Sequence, residues 1–234
     1  IAVASDRSQA TYSAVGDMIT LLTSLRTTIS SAMSGTATST LNSQGQTTLE
    51  DLAGKLNTQL DGRYLFAGSQ TDQAAVDLTT YQSTTASTTT ADTSYYQGDT
   101  QKASVRVSPT TAVTYGVTAD ASGAEKALRA AKLVSQLTTS PLDTSTLGSA
   151  YDLADEAITE LSNLQASVSV TSNRLDDAKQ SETTYISLLD DATSTIKNVD
   201  SAEALANVQE LNTQLQASYS ALSIVLKIKL TDYL

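Results

Sequence analysis

The chain has no cysteine and no histidine. Disulfides, thiolate sites and imidazole-ligated metals are therefore excluded, as are Ser-His-Asp and Cys-His catalysis. Tryptophan is absent too, and phenylalanine occurs once, at Phe66. Compact cores draw much of their buried area from those two side chains. Here aromatics are 5% of 234 residues, so the core has to come from Leu, Ile, Val and Ala. Such residues suit helices packed along narrow seams, and an elongated molecule is expected. Cations are scarce: 14 Lys and Arg stand against 25 Asp and Glu, for a net charge of −11. An acidic surface repels phosphate backbones and gains nothing from anionic lipid, so neither nucleic acid nor membrane is expected as a partner. No apolar run reaches the roughly 18 residues of a membrane-spanning helix.

What remains is periodicity. Val15, Met18, Leu22, Leu25 and Ile29 step by three and four, a heptad seam that predicts a helix over 12–33. Gly35 is its expected C-cap. Leu49, Leu52, Leu56 and Leu60 predict a second helix, stopped at Asp61-Gly62. Beyond it the texture changes. Residues 79–94 are dense in Ser and Thr, but stretches of period-two alternation flank them. Val105 and Val107, then Val113, Tyr115 and Val117, predict half-buried strands separated by Pro109. Helical texture resumes at Gly123 with Ala127, Ala131, Val134 and Leu137, and Pro141 ends it.

The longest pattern follows. Leu147, Ala154, Leu161, Val168, Leu175, Leu189 and Ile196 occupy one seven-residue column, broken only by Glu182. Asp143 or Thr144 is the expected cap, and neither Gly nor Pro occurs after Gly148. A helix of about 50 residues, some 75 Å long, is predicted, with a new one capped at Asp200 or Ser201. The fold expected is mainly α with a β-rich insertion, an antiparallel helical bundle or coiled-coil rod carrying a small β domain. Residues 1–62 and 119–234 form the rod, 63–118 the outer domain, and 201–234 the axial assembly helix. Tyr64, Leu65 and Phe66, in the stretch that leaves the bundle, are the expected domain-junction core.

Candidates for chemistry fall away. Neighbouring carboxylates such as Asp176-Asp177 and Asp190-Asp191 point about 100° apart on a helix and do not converge. Asp92, Asp99 and Asp120 lack the spacing of a calcium loop. No catalytic, cofactor or metal residue is expected. The C-terminal end is different. Leu215, Leu222, Leu226, Leu230, Tyr233 and Leu234 give a polar protein an apolar tail. This is either the last turn of a buried helix or a stripe for assembly. Assembly is expected, because the first helical segment is too short to cover it.

Four stretches resemble a known family. NTQLDGRYLFAGSQTD (57–72) is similar to a marked segment after the second helix of the bacterial flagellins and their hook-associated relatives. YQGDTQKASVRV (96–107) resembles that family's Tyr-x-Gly-Asp before a strand. SNRLDDAKQSE (172–182) and the C-terminal SAEALANVQELNTQLQASYSALSIVLKIKLTDYL (201–234) complete the likeness. Tyr-x-Gly-Asp together with Arg-Tyr-Leu-Phe-Ala-Gly points within the family to the hook–filament junction subunits rather than to filament flagellin. The resemblance implies an extracellular structural subunit, exported through the flagellar apparatus, that self-associates and meets other axial proteins. Hook-associated proteins, flagellin and an export chaperone are the partners it implies. It also implies about 50 further residues before Ile1. Alternatives are a filament flagellin, or a surface adhesive module whose Tyr81, Tyr95, Tyr96 and Tyr115 stack on carbohydrate.

Overall fold

The computed structural model describes residues 1–35, 38–81, 88–137 and 141–227, and of residues 38 and 198–200 the backbone alone. Helix α1 spans Ala2–Met33, α2 Leu41–Leu56, α3 Ser122–Ser135 and α4 Thr144–Lys227. Two antiparallel pairs of short strands lie between α2 and α3. Strand β1 (Gln59–Leu60) pairs with β2 (Arg63–Tyr64), and β3 (Ser104–Arg106) with β4 (Ala112–Thr114). The fold is mainly α, as the periodicity predicts, with a small β-rich region. The chain divides into two compact units, Ile1–Lys179 and Gln180–Leu234. Residues 63–118 lie inside the first.

In the first unit the seam of α1 is closed. Val15, Met18, Leu22, Leu25 and Ile29 are all buried. Toward the N-terminus Ala4, Ser8, Thr11 and Ala14 continue the buried face with small side chains. The facing column on α4 is Leu147, Ala154, Leu161, Val168 and Leu175, each buried. Cross-links fix the direction of the pair. Ser5 Oγ donates to Asp176, Gln165 Nε2 donates to the Tyr12 carbonyl, and Arg26 pairs with Asp155. As one number rises the other falls, so the two helices are antiparallel.

Helix α3 is apolar on most sides, with Ala124, Ala127, Leu128, Ala130, Ala131, Leu133 and Val134 buried, as befits a helix inside a bundle. It crosses α2 at Gly45, where a Cβ would lie 2.5 Å from the Ser135 amide nitrogen and 2.8 Å from the Val134 carbonyl carbon. The β3–β4 hairpin lies against the helices. Val113 packs with Ala4 of α1 and Leu175 of α4, with Val105, Val107 and Tyr115 around them.

Two predicted boundaries are corrected. The second helix ends at Leu56, before Leu60. Asn57 turns its amide to the chain 19 residues on, donating to the Val76 carbonyl and accepting from the Val76 amide, both at 2.8 Å. Asp61 (φ 52°) and Gly62 (φ 72°) then form the two-residue turn of a tight hairpin. The long helix does not stop at Asp200 or Ser201. With no Gly or Pro to break it, α4 runs on to Lys227, and Ser201 Oγ donates back to the Lys197 carbonyl within the helix. At the other end Asp143 caps α4 as expected, accepting from the Ser145 and Thr146 amides at 3.1 and 3.0 Å.

The close approach at Gly45 generates a prediction. Gly45→Ala places a methyl group against backbone atoms that cannot rotate away, and should destabilise the protein by about 1–3 kcal/mol despite the better helix propensity of alanine. Urea unfolding reads it; an unchanged or raised midpoint contradicts the packing described.

Candidate assembly surface and motif clasp

The segment that leaves α2 is held from several sides. The Leu65 amide donates to the Thr58 carbonyl at 3.0 Å, and the Ala119 amide donates to the Phe66 carbonyl at 2.9 Å. Leu65 and Phe66 are buried and Tyr64 is half-buried. Phe66 is among the largest fully buried side chains of the protein. The next residues meet a second motif. Asp99, at the end of Tyr96-Gln97-Gly98-Asp99, accepts from the Ser69 amide at 2.8 Å, from the Ser69 hydroxyl, and from the Gln101 amide at 2.9 Å. Its own amide donates to the Ala67 carbonyl at 3.3 Å, and Tyr96 Oη donates to its carbonyl at 2.6 Å. Gly68 has φ 69°, and a Cβ there would lie 2.3 Å from the Asp99 carbonyl oxygen. Only glycine suits both the backbone angle and the gap. The Ser69 hydroxyl and amide hold the Asp99 carboxyl below its ordinary value of 3.8.

The Ser/Thr-rich region is anchored to α3 by charge. Glu125, Arg129 and Lys132 lie on one face of α3 and are all buried. Arg129 grips the Glu125 carboxylate through Nε at 2.9 Å and Nη2 at 3.2 Å. The Asp92 amide donates to Glu125 at 3.0 Å, and Lys132 Nζ donates to the Tyr81 carbonyl at 2.9 Å. The same ammonium sits 3.5 Å from the centre of the Tyr81 ring, a cation–π contact. Burial lowers the Lys132 pKa. Tyr81 and Tyr95 meet edge to face at 5.2 Å, and Tyr95 Oη donates to the Ala119 carbonyl at 3.0 Å. Both rings are buried, and Tyr96 and Tyr115 are half-buried. The four tyrosines therefore do not form the carbohydrate platform suggested by composition. Residues 82–87 of the Ser/Thr tract lie outside the described residues.

The second unit carries the apolar surface. From Gln180 onward every side chain with a described environment is exposed. Leu189 and Ile196, on the column that is buried at Leu175, are 47% and 66% exposed. Farther along, Leu205, Val208, Leu215, Tyr219, Leu222 and Leu226 step by three, seven, four, three and four, with Asn212 filling the long step. Of the sequence-predicted interface residues, Leu215, Leu222 and Leu226 belong to this stripe and are exposed. Leu230, Tyr233 and Leu234 lie outside the described residues. Tyr219 lies outside the expected set, although its spacing marks it. The stripe also changes phase: Ile196 and Leu205 are nine residues apart, which is no multiple of seven. Among the described residues no cluster of side chains suits a metal ion, and no helix is long and apolar enough to cross a membrane.

Comparison with known proteins matches the two end regions of the chain. The family profile of the bacterial flagellin N-terminal helical region matches residues 1–71, and that of the bacterial flagellin C-terminal helical region matches residues 151–234. The fold is similar to the crystal structure of FlgL from Bacillus cereus, with a TM-score of 0.61 over 76% of this chain and 90% of that one, at 14% sequence identity. At that identity the likeness is one of fold. Among curated proteins none matches this chain.

The clasp has a pH signature. A depressed pKa means that the Asp99 carboxylate contributes stability above its ordinary 3.8, and that the contribution is lost as pH falls below that value. Asp99→Asn should therefore be less stable than the parent at neutral pH, with the gap closing in acid. Urea midpoints at pH 7 and pH 3 measure it; a gap of equal size at both contradicts the role given to the carboxylate.

Proposed function

Since the chain belongs to the bacterial flagellin family, a structural and not an enzymatic family, we propose that it is the flagellin-like subunit of the hook–filament junction. That it is a structural subunit of the flagellum follows from the family; the junction is the finer reading. One observation carries the mode of action. Between Ala204 and Leu226 the only charged residue is Glu210, yet the apolar side chains of this stretch are exposed. A stripe of Leu, Val and Tyr at heptad spacing gains about 1.5–3 kcal/mol for each large side chain fully buried, and a neighbouring axial helix can supply that burial. Leu215, Leu222, Leu226, Leu230, Tyr233 and Leu234 are the interface of this reading, and 201–234 its axial segment. Tyr64, Leu65 and Phe66 form the junction core from which the outer segment 63–118 departs.

Two features favour the junction over the filament. The Tyr-x-Gly-Asp and Arg-Tyr-Leu-Phe-Ala-Gly motifs interlock through Asp99, Ser69 and Gly68. The fold is also similar to that of FlgL, hook-associated protein 3. The partners proposed are hook-associated proteins and flagellin in the assembled axis, and an export chaperone that covers the stripe beforehand. Export through the flagellar apparatus to the cell exterior completes the proposal.

The test is docking. Labelled protein incubated with purified hook ends and with filament should decorate hook ends in limited rings under the electron microscope; growth of the protein alone into long filaments would make it a filament flagellin. Leu215→Asp combined with Leu222→Asp should weaken docking by about tenfold or more. Unfolding of the first unit should be unaffected, since neither side chain belongs to its core. Undiminished docking by that variant contradicts the assembly role.

A further inference from the structure

Several cations of the first unit are held in ion pairs. Lys55 pairs with Asp17 at 2.8 Å, Lys126 with Glu156 and Glu160 at 2.8 and 2.7 Å, Arg26 with Asp155, and Arg129 with Glu125. Arg106 and Arg174 are exposed and outside these pairs, and so are Arg63 and Lys102. Arg63 and Lys102 are far apart in sequence, yet they line one cavity of about 430 Å³, together with Arg7, Gly68 and Tyr115. Arg7 is half-buried and donates to the Tyr64 carbonyl at 3.2 Å. Asp61 is the single carboxylate of the lining, so three cations face one anion.

That balance is opposite to the molecule as a whole, whose 25 carboxylates outnumber its 14 cations. An unpaired cation beside a concavity attracts an anion that can enter it, and local charge of the minority sign steers a partner of the majority sign. Arginine and lysine differ in what they offer. Two guanidinium groups give planar forks for carboxylate oxygens, and the lysine gives a point charge. The clasp fixes one wall, because Gly68 is locked against Asp99. The β3–β4 side contributes Tyr115 and the chain leading into β3 contributes Lys102. The cavity is thus held by the motif residues that the family resemblance singles out, although they do not fill it.

We propose that this cavity receives carboxylate side chains from a second copy of the chain, as a polar contact between neighbouring subunits. The inference rests on the assembly reading above. It places a charge-specific contact on the first unit, distinct from the apolar stripe of the second. A second copy is the occupant that charge favours, because its surface carries the excess of carboxylates that the cavity complements. Contacts of this kind set register and partner choice between subunits more than they set raw affinity.

Chemical cross-linking of the full chain docked at hook ends tests it. A carbodiimide condenses a carboxylate with a lysine amine in contact with it, and Lys102 is the one lysine of the lining. Mixing isotope-labelled and unlabelled copies distinguishes links between molecules from links within one. The expected product is a mixed-label peptide joined at Lys102. Lys102→Arg should lose that product and keep association, because the charge remains. Arg63→Glu combined with Lys102→Glu should weaken association by roughly tenfold at low salt, the difference shrinking as salt screens it. Its unfolding transition, compared with the parent, controls for folding. Normal association by the charge-reversed variant, or association without mixed-label links at Lys102, overturns the inference and leaves assembly through the helix intact. Failure of the parent chain to dock at hook ends overturns both. Calorimetric binding of citrate at the cavity without inter-copy links assigns it to free carboxylates, and also overturns it.

Discussion

One constraint organises this molecule: an apolar column on a helix has to be covered. In α4 the column starts at Leu147 and recurs every seven residues. As far as Leu175 it is buried, and α1 lies antiparallel to that part of the helix, pinned by Arg26–Asp155 and Ser5–Asp176. From Leu189 onward the side chains on it are exposed. The hydrophobic effect is non-directional and does not distinguish a partner in the same chain from one in another. A heptad pattern can thus build a bundle in one stretch and, after a change of phase, offer a surface for assembly in the next.

The rest of the first unit follows from closing that bundle with small and aliphatic residues. Alanines on α3 and a glycine on α2 let helices approach closely where a Phe-poor and Trp-free chain has little bulk to fill space. The lone Phe66 sits where the chain leaves α2, with the Ala119 amide bonded to its carbonyl. Charge has a separate task. Buried Glu125, paired with Arg129, accepts from the Asp92 amide, and Lys132 donates to the Tyr81 carbonyl, so α3 helps to fix the ends of the Ser/Thr-rich region. A buried ion pair of this kind adds little net stability, and its effect is to specify where a polar segment lies.

Helices were legible from sequence because their seams are local patterns. Val15 to Ile29 and Leu147 to Leu175 announce themselves by spacing alone, as do Val105 and Val113 by alternation. What spacing could not convey was long-range. The end of α2 depends on Asn57 finding Val76, so Leu60 read as helix although it is strand. The cap expected at Asp200 or Ser201 failed because a capping residue does not end a helix when no Gly or Pro breaks it and Ala, Leu, Gln and Glu abound on the far side. The two family motifs were each visible, but their meeting at Gly68 and Asp99 was not. The same limit applied to the tyrosines, since Tyr81 meets Lys132 of α3 and Tyr95 meets Tyr81 and the Ala119 carbonyl, all contacts distant in sequence.

The central claim is that the exposed stripe of α4 becomes buried when the subunit enters the flagellar axis. Amide exchange reports it directly, because backbone hydrogen bonds open less often once their helix is packed. Free protein and protein incorporated at hook ends should be compared over residues 201–227. The account predicts rapid exchange in the free chain and strong protection after incorporation, centred on Leu205 to Leu226. Exchange over that stretch that is equally fast in both states would contradict it.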